Sequence, residues 1–472
     1  MAHFDLLWQQ ARPAFQQTRT WQRARTLAGG LLACLGRHTI TGMLTCSGQQ
    51  FVDWSAAYRL FEHARISEDR LWAPVRRAVG NLLPVAQAFV AVLDDTLVGK
   101  RGRKVSGTAW RRDPLGPPFR PNFIWAQRFL QIAAMLPQGP GASRARAIPI
   151  ELQHCPSAAP PGRRTTAEQQ RQYRLEQQAQ RLPAVAAQRL QALRSSLDAD
   201  PGGAQRPLMV AVDGGYTNRT VFRQIPARTC VVGRVRKDAK LYAPPTPRAG
   251  RGRRRIYGTA LPTPEQIRQD ERFPWQMVQA YAAGKIHQFE VKVVGPVRWP
   301  GAGERDLLLL VIRPLAYRPT KHSRLLYRQP AYLLCTDPTL PLTQILQTYL
   351  WRSEIELTFR DEKTIIGLGE AQVRNHRAVS AAPAFVAAAY AYLHVAAATA
   401  GLCAARLPRP KWQRTLPDQR HTTGRLIGLL RGELWGRALG VNIDGFAAQR
   451  DLTMNALKSR NNAAAAVIYS HR

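Results

Sequence analysis

Tyr349, Arg352, Glu356 and Lys363 stand three, four and seven residues apart in the stretch YLWRSEIELTFRDEKTIIGLG, residues 349–369. On one continuous helix, at about 100° per residue, those gaps gather the four within an arc of roughly 60°. A carboxylate then shares a stripe with two cations and a tyrosine. An i, i+4 pair between Arg352 and Glu356 alone would contribute only about 0.3–0.5 kcal/mol. The interleaved Ile355, Leu357, Phe359, Ile365 and Ile366 require the same helix to pack on a core, so the stripe borders buried surface. Glu354, Asp361 and Glu362 fall off it and are expected in solvent, while Arg360 is left open.

Two further acids matter because of where they fall. Asp95 ends the apolar run QAFVAVLDDT, and Asp213 ends MVAVD within PLMVAVDGGYTN. Taken singly, a strand-terminal Asp is a turn former or a helix N-cap. Strands buried on both faces that finish in carboxylates leave negative charge at a sheet's edge, at a cost of several kcal/mol unless a cation sits there. Hard divalent ions such as Mg²⁺ take oxygen ligands of this kind. Two such ions, roughly 4 Å apart, can activate an attacking oxygen and stabilise a leaving one in phosphodiester cleavage.

The elements that must position these residues are legible from periodicity. Residues 1–85 read as helical, with apolar spacing in LLWQQARPAF and WSAAYRLFEHARI, either a DNA reader or a packing and dimerisation module. Over 86–225 the runs QAFVAVLDDT, KVSGTAWRRD, NFIWAQRFLQIAAML, RAIPIELQHC and PLMVAVDGGYTN read as strands. They flank a long Gln/Ala/Arg-rich helix, broken at Pro183. Strands around a central helix define a mixed α/β sheet. Residues 226–340 read as a β-rich insertion, 341–405 as the return to the α/β unit with the glutamate helix, and 406–472 as a basic, partly helical region suited to dimerisation. Ala378 to Ala405 contains no Asp, Glu, Lys or Arg, but it is mostly alanine and includes Pro383, His394 and Gly401. It reads as a buried helix of a soluble protein rather than a membrane span.

Composition narrows the partner. Sixty-eight Lys and Arg against 31 Asp and Glu give a formal charge of +37, which repels itself in the folded state and is relieved by a polyanion. Basic surfaces at Lys100, Arg101, Arg103 and Lys104, and at Arg251, Arg253, Arg254 and Arg255, either hold DNA or form solvated loops. Six scattered cysteines without a CxxC pair argue against a zinc ribbon and a disulfide framework and fit a reducing cytosol. The first residues lack the basic start and apolar core of a signal peptide.

The spacing Tyr-x2-Arg-x3-Glu-x6-Lys, complete at Tyr349, Arg352, Glu356 and Lys363, resembles the signature of a large group of bacterial insertion-sequence DDE transposases. LDDT and VAVDGGY resemble the segments that carry the family's two aspartates, and the likeness spans about residues 30–400. It implies an RNase H-like catalytic core interrupted by a β-rich insertion, with a helical N-terminal domain and a helical C-terminal region. By the same resemblance Asp95, Asp213 and Glu356 bind two Mg²⁺ ions, for which Mn²⁺ can substitute. Asp95 is chosen because the family's acid directly precedes Thr, which leaves Asp94 to support the loop. Tyr349, Arg352 and Lys363 contact phosphates, and Trp299 either stacks on an unpaired base or is a core residue. The implied activity is cut-and-paste DNA transposition on terminal inverted repeats and target DNA. It would be carried out by a dimer or larger assembly in the bacterial cytoplasm, at the nucleoid. A non-catalytic DNA-binding regulator and a host nuclease on the same core are the alternatives.

Overall fold

Phe89 to Leu93 are all buried, which is what a strand covered on both faces requires. In the computed structural model, which describes residues 2–117, 119–162, 164–246, 254–318, 320, 322–401 and 421–439, this run opens strand β1 (Phe89–Gly99). Ahead of it lie five helices: α1 (Ala2–Gln10), α2 (Thr18–Ala33), α3 (Ile40–Cys46), α4 (Ser55–Glu62) and α5 (Glu68–Leu82). After it come β2 (Ala109–Arg112), β3 (Phe123–Pro137), β4 (Ala145–His154), α6 (Ala167–Ala179), α7 (Leu182–Ala199), β5 (Leu208–Val212), α8 (Arg219–Phe222) and β6 (Thr229–Arg234). The next stretch holds α9 (Pro264–Gln269), β7 (Gln276–Ala282), β8 (Lys285–Arg298), β9 (Asp306–Ile312), the short pair β10 (Ala316–Tyr317) and β11 (Leu326–Tyr327), and β12 (Ala331–Cys335). The helices α10 (Leu342–Trp351), α11 (Glu354–Thr364), α12 (Ala378–Thr399) and α13 (Thr423–Leu439) complete the described chain.

One ten-stranded sheet runs β2-β3-β1-β5-β6-β12-β9-β8-β7, with β4 pairing β3 beyond the end of β2. β1, β5 and β6 are parallel to one another at its centre, and the pairs outside them are antiparallel. This mixed sheet with helices on both faces fits an RNase H-like fold. In the stretch expected to be a β-rich insertion, β12 pairs with β6, so β7, β8, β9 and β12 prolong the central sheet. The buried backbone edge of β6 needs a partner, and β12 supplies it.

Strand alternation divides the core in two. Phe89, Ala91 and Leu93 of β1, with Leu208, Val210 and Val212 of β5, join the larger cluster, which holds the N-terminal helices and α12. Val90, Val92, Met209 and Ala211 point the other way, against Ile345, Leu346, Trp351, Ile355 and Phe359 of α10 and α11. The helices before residue 85 therefore share one core with the sheet: Trp8 is fully buried, its ring 5.0 Å from Tyr392 and 5.7 Å from Phe385 of α12. The helix α12 is long and apolar enough to cross a membrane, yet 89% of its apolar window is buried within the fold.

Two helix expectations shift. The long Gln-rich helix breaks at Gln180–Arg181, and Pro183 sits in the first turn of α7, where its missing N–H leaves no bond unmade. Most of the region assigned to dimerisation, 406–472, lies outside the described residues. Within it, α13 buries Leu426, Ile427 and Leu430 in the core of its own chain.

Candidate active site

Leu93 of β1 and Val212 of β5 are register partners in a parallel pair, so the next residues, Asp94 and Asp213, neighbour each other across the two strands. Partners in a parallel ladder share a face, and the face here is the one covered by α10 and α11. Asp95 takes the opposite face. Its carboxylate accepts a hydrogen bond of 2.8 Å from the buried Tyr216 hydroxyl and lies 3.5 Å from Arg128. Asp95, expected beside Asp213, faces the other side of β1 from Asp94: a strand has period two, so of two consecutive acids only one can face a given side, and on the Arg352 side it is Asp94.

Arg352 draws this site together. One guanidinium nitrogen lies 3.0 Å from an Asp94 carboxylate oxygen and the other 3.6 Å from Glu356. Burial works against the Arg352 charge, but Tyr349, Asp213, Asp94 and Glu356 together outweigh it and raise its pKa. Burial also pushes the Asp94 carboxyl up to about 6; Arg352 opposes the rise, and the negative charges of Asp95 and Asp213 add to it. Lys363 donates a 2.6 Å hydrogen bond to Thr96, two residues beyond Asp94 on the same face, and burial lowers its pKa. Tyr349 has its phenol pKa raised by burial, offset in part by Arg352 and Arg234.

These four residues do not lie on one continuous helix. Arg352 and Ser353 keep helical backbone angles, but the hydrogen bonds there reach back three residues instead of four, from Ile355 to Arg352 (3.2 Å) and from Glu356 to Ser353 (3.3 Å). A tightened turn of this kind advances about 120° per residue, so α11 is rotated relative to α10. Trp351 fixes the joint from one side through its indole N–H on Ser143 O (2.8 Å), and Thr358 from the other through Ala147 O (3.0 Å). The stripe survives the break: Arg352 reaches Asp94 and Lys363 reaches Thr96, both within β1.

The solvent expectation fails for two acids on α11. Asp361 is buried and accepts a 2.6 Å bond from Thr423 of α13. Glu362 is fully buried beside the equally buried Gln131, and burial pushes its carboxyl up to about 8. Glu356, in contrast, has a side chain 63% exposed.

Trp299 is half-buried, edge-on to Phe222 at 5.3 Å, and lines a cavity of about 1010 Å³ that opens beside Asp213. Arg234, Arg236, Lys237 and Arg268 form its basic wall, with Arg268 paired to Glu265 at 2.6 Å and Arg236 to Asp238 at 2.8 Å. Sequence reasoning missed this wall because its residues are scattered over β6, α9 and the connections between strands. The basic runs behave unevenly. Lys100 turns inward and donates to Gly369 O at 2.6 Å, and Arg103 lies against the rings of both Trp110 and Trp125. Arg101, Lys104, Arg254 and Arg255 are exposed, whereas Arg251 and Arg253 lie outside the described residues.

Among the described residues, no three His, Cys, Asp or Glu side chains approach closely enough to hold a metal ion together. The donor set is nevertheless suited to a hard cation. Two neighbouring carboxylates, Asp94 within β1 and Asp213 just after β5, adjoin buried strand residues, Asp94 is pushed up in pKa, and a guanidinium already supplies positive charge between Asp94 and Glu356.

Carboxylates from adjacent central strands, bridged to a helix by one arginine, define an α/β protein built around an acidic site at the middle of its sheet. Residues 12–289 match the family described as DDE superfamily endonuclease, and the chain belongs to that family. The match takes in Asp94, Asp95 and Asp213 and ends before α10 and α11. The family implies nuclease or transposase activity on DNA. No curated protein matches the chain.

Proposed function

We propose that the protein is a cut-and-paste DNA transposase of the bacterial insertion-sequence type. It would cleave the DNA at its element's ends and join the freed 3′-hydroxyl to a target strand. The observation that carries this reading is the β1–β5 register, which sets Asp94 beside Asp213 under the Arg352–Glu356 helix pair. Asp94, Asp213 and Glu356 would hold the divalent ions, Mg²⁺ or Mn²⁺. Bound there, the ions would supply positive charge to an in-line displacement at phosphorus and make the attacking hydroxyl more acidic.

The chain's own residues bind and orient. Arg352, which bridges Asp94 and Glu356, would be placed to fork onto a phosphate beside the acids. Tyr349 and Lys363 flank it on the same face, and Lys363 is held by Thr96 at the level of the acids. Trp299 and the basic wall beside Asp213 suit a base turned out of the helix next to the cut, with its phosphate on Arg234 or Lys237. Cutting two ends together requires two such sites, hence a dimer or larger assembly on DNA, working at the bacterial nucleoid.

The test is a supercoiled plasmid carrying the element's two ends, incubated with the protein and Mg²⁺ or Mn²⁺. Excision by the wild type, lost in Asp94→Asn and Glu356→Gln with DNA binding intact, supports transposition. Cutting without preference for the ends would favour a general nuclease instead. Binding without cutting in either metal would leave only a DNA-binding role.

A further inference from the structure

The β2–β3 hairpin carries aromatic rings into solvent at the end of the sheet. In β3, Gln131 pairs with Asp94 and Phe129 with Thr96, so the odd-numbered residues of this strand lie on the acidic site's face. Trp125 and Phe123 continue that face outward, opposite Trp110 and Arg112 of β2. Trp110 is 55% exposed and Phe123 57%. From Gln131 to Trp125 the strand covers about 20 Å at ~3.3 Å per residue, or about six base-pair steps of B-form DNA.

The loop at 100–104 is not a loose basic tail, because it is fastened to this ribbon. The Lys100 N–H bonds Trp125 O at 2.8 Å, the Trp125 indole donates to Gly102 O at 3.1 Å, and the Arg103 guanidinium sits 4.9 and 5.0 Å from the Trp110 and Trp125 rings. Arg101 and Lys104 are thereby presented in solvent beside exposed rings, with Arg112 on the same face.

We propose that this ribbon is a stacking platform for unpaired bases of the DNA strand that runs out of the Asp94–Asp213 site. The rings would take the bases, and Arg101, Lys104 and Arg112 the phosphates. A second copy of the chain is the poorer occupant, since it would bring the same cations against these and add to a charge of +37. Rings interleaved with cations match a single strand, whose bases offer faces that a closed duplex hides. The inference rests on the chain being a DNA enzyme and specifies which DNA it holds beside the cut.

The experiment measures anisotropy of dye-labelled oligonucleotides, single-stranded and fully paired, at fixed salt without divalent metal. Trp110→Ala and Phe123→Ala should each weaken single-strand binding by about tenfold and leave the duplex within about twofold. Phe123→Ala leaves the Arg103 contacts in place, so it carries the test where Trp110→Ala disturbs folding by circular dichroism. Trp110→Phe should restore most of the affinity. Unchanged single-strand binding in Phe123→Ala overturns the proposal. Equal losses on both DNAs, or a change in sedimentation of the free protein in place of a change in DNA affinity, also overturn it. A wild type that binds single strands through the ribbon yet never cuts in Mg²⁺ or Mn²⁺ would remove the transposase reading and leave the platform standing.

Discussion

At the scale of single residues, the two consecutive acids of β1 are distinguished by which side of the sheet they face. Asp94 looks toward Asp213 and Arg352; Asp95 holds the Tyr216 hydroxyl. Tyr216 closes the turn that follows Asp213, its N–H bonding Asp213 O at 3.0 Å, so Asp95 steadies its neighbour's partner from behind. Asp94→Asn should therefore lower cleavage by at least about a thousandfold with little loss of stability. Asp95→Asn and Tyr216→Phe should cost about 10–100-fold, together with about 1–2 kcal/mol of stability in urea unfolding. An equal collapse of activity in Asp94→Asn and Asp95→Asn would contradict this division. The sequence could not assign the roles, because both faces of β1 are apolar and only the pairing with β5 says which face holds the site. Glu362 gives a second prediction. Its carboxyl ionises near 4.5 when unfolded and at about 8 when folded. Between those values the folded state binds the extra proton, so stability falls as pH rises through that window, by about 1.4 kcal/mol for each unit of pKa difference. Glu362→Gln should flatten that fall, measured by urea unfolding from pH 5 to pH 9.

At the scale of elements, what is legible in the sequence is what repeats locally. Every strand-like run before β5 forms a strand, because alternation and β-branched apolar runs report burial directly. The kink at Arg352–Ser353 is not legible, since it depends on Trp351 and Thr358 finding carbonyls on the β3–β4 hairpin some two hundred residues earlier in the chain. Nor is the burial of Asp361 and Glu362, which follows from α13 and β3 closing over a face that the helical pattern leaves polar. Lys292 belongs to the same group. It is fully buried, with its ammonium 2.9–3.2 Å from the Ile267, Arg268 and Asp270 carbonyls at the end of α9 and 4.5 Å from the Trp275 ring centre. The short helix α9 contributes Glu265 and Arg268 to the cavity beside Asp213. Lys292→Met should leave three helix-end carbonyls without their donor and cost about 2–4 kcal/mol, seen as an earlier urea midpoint.

At the scale of the whole molecule, the charge of +37 predicts DNA affinity that falls steeply with salt. The logarithm of the binding constant should decline linearly with the logarithm of salt concentration. Arg101→Ala with Lys104→Ala should make that decline shallower, by about one in slope for each phosphate no longer neutralised. A slope near zero would mean that the cationic surplus does not meet DNA. By periodicity the helices before residue 85 read as a module of their own, yet they sit in the same core as the sheet and α12. Trp8→Ala should therefore destabilise the entire fold by about 3–5 kcal/mol in a single unfolding transition, rather than release an N-terminal piece.

That shared core also governs when the protein can exist at all. Leu71 O receives the Tyr392 hydroxyl from 321 residues downstream, the His38 N–H bonds Glu370 from 332 away, and Leu32 O is capped by Arg431 from 399 away. Contacts so distant along the chain cannot form until the downstream partner has left the ribosome, and their loop-closure cost slows folding. The N-terminal helices must wait, with their apolar faces uncovered, until α12 and α13 have been synthesised. A message cut short before α12 should therefore yield chains with this core left open and prone to aggregate. Synthesis of α12 and α13 thus becomes a checkpoint on folding, one that the fold itself imposes.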